Sequence, residues 1–275
     1  MARGEANFIF ALKFASYSDI IRIRRLAPEG ADMTRSTMKK IIGIAPASSI
    51  GDPDESCMKD FYKLGNNYIK RAVEAGCTPI GLAPSDNMLT EEALAMCDGF
   101  LVQGGAEFYP YHFQIIHHAV THKKRYLGIC LGQQIIYVYF ALRRMLEEEG
   151  YEGDIVKGIC DYIASKPADF SLQKKVEGHR REFPRRGDED TAKHDVSIIP
   201  DTLLHRVMKR DTMRICTFHN LCTPPEQTVV SINAFCKGDE GTVEGTEYSD
   251  YILGVQGHPE ADDLLPELFK FLAED

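Results

Sequence analysis

From Lys40 to Glu149 short apolar runs alternate with stretches of helical periodicity, and this alternation restricts the possible folds more than any other feature of the chain. Lys39-Lys40-Ile41-Ile42-Gly43-Ile44-Ala45 ends at Pro46 and reads as a first buried strand. Beyond the Gly51-Asp52-Pro53 loop, Phe61, Tyr62, Tyr68, Ile69, Ala72 and Val73 recur at helical spacing, which predicts a helix from Met58 to a stop at Gly76. The pattern continues with strands at 78–83, 99–102 and 125–129, and with helices at 90–96, 109–123 and 131–149. Strands and helices alternating at this interval form parallel strands with crossover helices on both faces, so the expected class is α/β with a doubly wound, mostly parallel sheet. Ligands of such sheets bind beyond the carboxyl ends of the strands.

After residue 149 the texture changes. A charge-dense stretch at 177–193 is followed by β-rich segments at 195–199, 213–218, 228–236 and 251–256, which add strands of antiparallel type to the C-terminal half. Leu264, Leu265, Leu268, Phe269 and Leu272 stripe a closing helix. Residues 1–37 lack a strand–helix pattern that continues into the rest and are read as an N-terminal extension, with the folded domain at 38–275.

Composition limits the classes of function. Lysine and arginine total 32 against 41 aspartate and glutamate, a net charge of −9, which argues against nucleic acid or an anionic membrane as the main partner. The arginines at 22, 24 and 25 sit among Asp19, Glu29 and Asp32 and do not alter this. No apolar stretch approaches the roughly 18–20 residues of a membrane helix, and no signal-peptide pattern opens the chain, so a cytoplasmic protein is expected. The eight cysteines include no CxxC pair, which argues against a disulfide framework or a zinc ribbon. Neither a Walker-type loop nor G-x-G-x-x-G is present, so no nucleotide cofactor is inferred. His112, His117, His118 and His122 share one predicted helix, but His118 and His122 lack a third ligand and read as a solvated face; no metal is assigned.

One cysteine stands where chemistry would choose it. Gly128-Ile129-Cys130-Leu131-Gly132 joins a predicted strand to a predicted helix and has the G-x-nucleophile-x-G form of a nucleophile elbow. Its glycines permit a tight turn that lifts the sulfur over the sheet edge, and the free N–H groups of the following helix favour negative charge there. Near the other end, Gly254-Val255-Gln256-Gly257-His258-Pro259-Glu260 follows an apolar strand. In an extended segment His258 and Glu260 point the same way, so that Glu260 can fix the imidazole tautomer while His258 takes the thiol proton and returns it to a leaving amine.

Together, Gly-Ile-Cys-Leu-Gly-Gln-Gln at 128–134 and Gly-Val-Gln-Gly-His-Pro-Glu at 254–260 resemble the nucleophile and His-x-Glu motifs of the class I glutamine amidotransferase superfamily, whose fold is flavodoxin-like. The resemblance implies a Cys130, His258, Glu260 triad that hydrolyses a γ-glutamyl amide through a thioester. It also implies oxyanion-hole N–H groups at Gly104, Gly105 and Leu131, from the Asp98–Gly105 strand and turn and the elbow, and a glutamyl contact from Gln134. Within the superfamily the chain is most similar to γ-glutamyl-γ-aminobutyrate hydrolase-type (peptidase C26) enzymes, through Ile-Gly-Ile-Ala-Pro at 42–46, residues 194–200 and the Phe218-His219 pair. His219 is a candidate substrate contact, although Asn220 stands where a second histidine is expected. Gly257 replaces the usual aromatic residue and predicts a more open wall beside His258.

The substrate class is thus a small γ-glutamyl compound. Two alternatives stay open: a glutaminase subunit that delivers ammonia to a separate synthase, and a noncatalytic binding or regulatory protein on the same fold. A homodimer is compatible with the pattern, and the arginines at 180, 181, 185 and 186 could clamp a carboxylate as a lid.

Overall fold

A computed structural model of the chain describes residues 39–47, 61–167, 170–179, 188–261 and 263–274. The extension at 1–37, its boundary at Met38 and the four arginines of the 177–193 stretch lie outside the described residues.

The first half of the domain alternates as its sequence pattern predicts. In chain order come β1 (Ile41–Ala45), α1 (Asn66–Glu74), β2 (Thr78–Gly81), α2 (Glu91–Ala95), β3 (Gly99–Val102), α3 (Pro110–His122), β4 (Arg125–Ile129), α4 (Leu131–Glu148) and α5 (Ile155–Ala164). The second half holds β5 (Lys174–Lys175), β6 (Lys193–Ile198), α6 (Leu203–Met208), β7 (Thr212–Cys216), β8 (Leu221–Cys222), β9 (Ser231–Cys236), β10 (Asp239–Tyr248), β11 (Ile252–Val255) and α7 (Pro266–Lys270). Nine strands form one sheet in the order β2-β1-β3-β4-β11-β10-β9-β6-β7, and β5 pairs with β8 in a separate ribbon. The first five are parallel neighbours. From β11 onward each neighbouring pair is antiparallel. The last strand of the chain therefore lies at the centre of the sheet, between a doubly wound half and an antiparallel half.

Side-chain alternation along the parallel strands divides the core between the two faces. Phe100, Val102, Tyr126 and Ile252 pack with α3, α4 and α5. Ile42, Ile44, Leu101, Leu127, Leu253 and Val255 pack with α1, α6, α7 and Phe271. All ten side chains are at most 1% exposed, as strands covered on both faces require.

Three segments differ from the sequence expectation. Met58, where the first helix is expected to begin, lies outside the described residues; residues 61–65 are not helical and α1 begins at Asn66, because Lys63 pairs with Ala47 and the Gln103 side chain accepts from the Gly65 N–H. Strand β10 follows only three residues after β9 and was hidden by its polar residues, of which Thr242, Glu244 and Thr246 are buried. In the closing stripe Leu265, Leu268, Phe269 and Leu272 are buried as expected, but Leu264 precedes the helix and is exposed.

Candidate active site

The parallel strands β3, β4 and β11 end level with one another. Val102 is in register with Gly128, and Val255 with Ile129, so the residues that follow each strand emerge together at the carboxyl edge. These are Gly104 after β3, Cys130 after β4 and His258 after β11.

Cys130 turns the chain from β4 into α4 with φ +54° and ψ −105°, a region of the backbone map that non-glycine residues rarely occupy. Such strain persists only where the surroundings impose it. Here the Cys130 N–H donates to Val255 O at 2.9 Å, while its carbonyl accepts from the N–H groups of Gln133 and Gln134 at 3.1 Å. The flanking glycines are required sterically. A β-carbon at Gly128 would overlap the Gly132 carbonyl, and one at Gly132 would overlap the Val102 carbonyl.

His258 Nδ1 lies 2.7 Å from Glu260 Oε1, and Cys130 lies near enough to the same ring to act on its charge. The pair is joined through a short 3-10 turn, Pro259–Ala261, rather than along an extended strand, so Glu260 folds back onto the imidazole. Burial opposes a charge on His258, but the Glu260 carboxylate and Cys130 together outweigh it and hold the imidazole pKa well above its usual value. Phe218 packs against the same ring, with centroids 5.2 Å apart and planes at 65°.

Gly104 lies close against this pair. A β-carbon there would stand 2.8 Å from His258 Cε1 and 3.3 Å from Cys130 Cβ. Its N–H donates to the Tyr68 hydroxyl at 3.1 Å, and that hydroxyl also meets the Glu260 carboxylate. Burial first, and then the Glu260 charge, push the Tyr68 pKa well above its usual value, so Tyr68 keeps its proton. Sequence periodicity places Tyr68 only on the buried face of α1, and nothing in the motifs singles it out. Gly105 adjoins the first residue of α4, with its β-carbon direction 2.8 Å from Leu131 Cδ2.

Gln134 and His219 are both drawn into protein contacts. Gln134 Nε2 donates to Leu221 O at 3.0 Å and to Gln256 Oε1 at 3.2 Å. His219 directs Nδ1 at Leu221 O, 3.1 Å away, and Nε2 at Glu244 Oε1, 3.3 Å away, so both ring nitrogens face protein groups. The opening expected at Gly257 is closed. A β-carbon there would stand 2.7 Å from Ile215 Cγ2 and 2.8 Å from Cys216 O, because β7 fills that space, and the aromatic wall beside His258 is Phe218.

The α3 histidines serve other ends. His112 is buried, accepts the Tyr109 N–H at 3.1 Å in a capping box, and has its pKa pushed down by burial to about 4. His117 Nδ1 meets the Tyr139 hydroxyl at 2.9 Å. The rings of His118 and His122 stack with centroids 4.0 Å apart, which turns their faces rather than their lone pairs toward each other. The cavity of about 530 Å³ that they help line shares no lining residue with the Cys130 site. Among the described residues no helix is long and apolar enough to cross a membrane.

Comparison with known proteins agrees with this fold. A CTP synthase of Helicobacter pylori is 26% identical over 220 residues, which are 74% of this chain and 40% of that protein, so the chain spans well under half of that relative. Protein NtpR of Enterococcus hirae is 23% identical over 246 residues, covering 81% of this chain and 92% of NtpR. Among solved structures, the glutaminase domain of Trypanosoma brucei CTPS with bound acivicin has the same fold, with a TM-score of 0.58 at 16% identity over 86% of this chain and 93% of that one. The family described as glutamine amidotransferase class-I matches residues 57–264, and the chain belongs to that family.

Proposed function

We propose that the chain is a cysteine-dependent amide hydrolase that cleaves a γ-glutamyl amide at Cys130. The observation that carries this reading is the meeting of Cys130, His258 and Glu260 at the carboxyl edge of the sheet, with His258 Nδ1 2.7 Å from Glu260 Oε1 and Gly104 packed against both His258 and Cys130. The Cys130 sulfur attacks the γ-carbonyl with its proton already held by His258 as the imidazolium. Glu260 holds the imidazolium through Nδ1, and His258 then gives its proton to the leaving amine as the C–N bond breaks and the thioester forms. Water attacks the thioester with His258 as base, which releases glutamate and restores the thiol. The oxyanion takes its hydrogen bonds from Gly105 and Leu131, because the Gly104 N–H is already bonded to Tyr68.

The finer reading is a free-standing hydrolase of a γ-glutamyl-γ-aminobutyrate-like substrate, of peptidase C26 type. A second reading is favoured by the likeness to CTP synthase. In it the amide is glutamine, and the ammonia passes to a separate synthase. Mass spectrometry of the protein incubated with glutamine and γ-glutamyl-γ-aminobutyrate, with Cys130→Ala as control, separates them. Release of γ-aminobutyrate that vanishes in Cys130→Ala supports the hydrolase. Turnover of glutamine alone, raised by a copurifying synthase, supports the second reading. Amide turnover that survives in a folded Cys130→Ala protein eliminates both.

A further inference from the structure

Behind Phe218, three histidines converge on one buried carboxylate. Glu244 of β10 is fully buried. His179 Nδ1 stands 3.3 Å from its Oε1, His219 Nε2 3.3 Å from Oε1, and His194 Nε2 3.4 Å from Oε2. None of these five atoms makes a hydrogen bond. Spacings this short between unbonded polar atoms are unusual in a protein interior, where polar groups are paired. They match the edge of a tetrahedron: donor atoms on arms of about 2.0–2.1 Å stand about 3.3–3.4 Å apart.

The tautomers point the same way. His219 Nδ1 faces Leu221 O at 3.1 Å, and a carbonyl oxygen only accepts, so Nδ1 carries a proton; in the neutral ring Nε2 then presents a lone pair to a carboxylate that also has only lone pairs to offer. A cation between them resolves that conflict. Metal-bound histidines characteristically donate their second N–H to a backbone carbonyl in this way. Cys236 Sγ lies 3.7 Å from His194 Nδ1, on the other side of that ring, and can accept its N–H. The ligand atoms of His179, His194, Cys236 and Glu244 all lie within 4.8 Å of one another, so Cys236 is the competing fourth ligand to His219, whose Nε2 stands on the same carboxylate.

We propose that His179, His194, His219 and Glu244 bind one divalent transition-metal ion, with zinc the best match to three imidazoles and a carboxylate in a closed site. The ion joins the segment after β5, strand β6, the loop between β7 and β8 and strand β10, none of which is adjacent to all the others in the sheet. It anchors the residue next to Phe218, the ring that packs on His258. Its role is structural, since a buried four-ligand set leaves no open position for a substrate.

Full-length protein is stripped with a chelator, dialysed and titrated with Zn(II) alone, and cobalt replaces zinc for spectroscopy. The expected results are one ion per chain, a tetrahedral Co(II) absorption spectrum, and a melting temperature that falls on stripping and recovers on adding Zn(II). His194→Gln and His219→Gln should each weaken Zn(II) binding by more than about 100-fold, the upper end of what loss of an outer partner costs. Cys236→Ser and Cys130→Ala should keep the ion. If the histidine variants fail to fold, stripping and reloading the unaltered protein still decides. Protein grown in zinc-rich medium that carries substoichiometric metal, with a melt unmoved by Zn(II), would overturn the proposal in favour of protons shared among the imidazoles. Loss of the ion in Cys236→Ser with retention in His219→Gln would overturn the ligand set.

Discussion

Glu260 determines what His258 can do. Of the groups that favour the charged imidazole, the Glu260 carboxylate is the largest and Cys130 the next, and together they overcome burial. The imidazolium that protonates the leaving amine in the proposed reaction therefore persists to higher pH than a free histidine would allow, and is lost only as pH rises through the raised pKa. Glu260→Gln keeps the shape and removes the charge. Its expected effect is a basic limb of kcat/KM displaced to lower pH, together with a fall in rate of about 10²–10⁴-fold. A pH–rate profile of the two proteins checks this, and coincident basic limbs would remove Glu260 from the mechanism. These three residues were legible because elbow and His-x-Glu are local patterns. Tyr68 and Phe218 were not legible as parts of the site, since each touches it across a long sequence separation through an ordinary aromatic ring.

At the scale of elements, pattern reading succeeded where apolar periodicity and burial agree. Strands β3 and β4 fall where their apolar runs place them, and α3 and α4 differ from expectation by at most a residue at each end. It fails at β10, where the buried run 242–247 is mostly polar, with Thr242, Glu244, Thr246 and Glu247 around Val243. Thr246 is held by Gln133 Nε2 at 3.1 Å, so this strand is buried by hydrogen bonding as much as by apolarity. At Gly257, by contrast, the missing side chain leaves no space. That volume belongs to β7, and filling it forces Ile215 or the Cys216 backbone to move. The His258 N–H donates to that same Cys216 carbonyl at 2.8 Å. Gly257→Ala should therefore destabilise the protein by about 1–3 kcal/mol, the usual cost of overpacking, and disturb His258 as well. Urea denaturation measures the first effect and amide turnover the second. A neutral Gly257→Ala would mean that β7 yields freely and that the open-wall expectation deserves revival.

At the scale of the whole molecule, β4 has two ends with different duties. Its carboxyl end delivers Cys130, and its amino end begins at Arg125, whose guanidinium lies 4.6 Å from the ring centroid of Phe271. Phe271 is fully buried beneath the parallel half of the sheet with Leu268, Phe269 and Leu272, so the C-terminal segment closes the face that α1 leaves uncovered. The doubly wound half was legible because each of its strands announces itself; the central place of β11 was not, since strand order depends on pairings that no local pattern records. Phe271→Ala deletes a fully buried ring and should cost about 3–5 kcal/mol, a large part of the roughly 5–15 kcal/mol that holds a domain of this kind together. Because the ring packs at the amino end of β4 and the thiol stands at the other, the loss should be confined to stability. The urea midpoint should fall while kcat per folded molecule, measured well below that midpoint, stays unchanged. A kcat that falls together with the midpoint would mean that the strand carries strain from one end to the other, and that the elbow at Cys130 depends on the packing beneath Arg125.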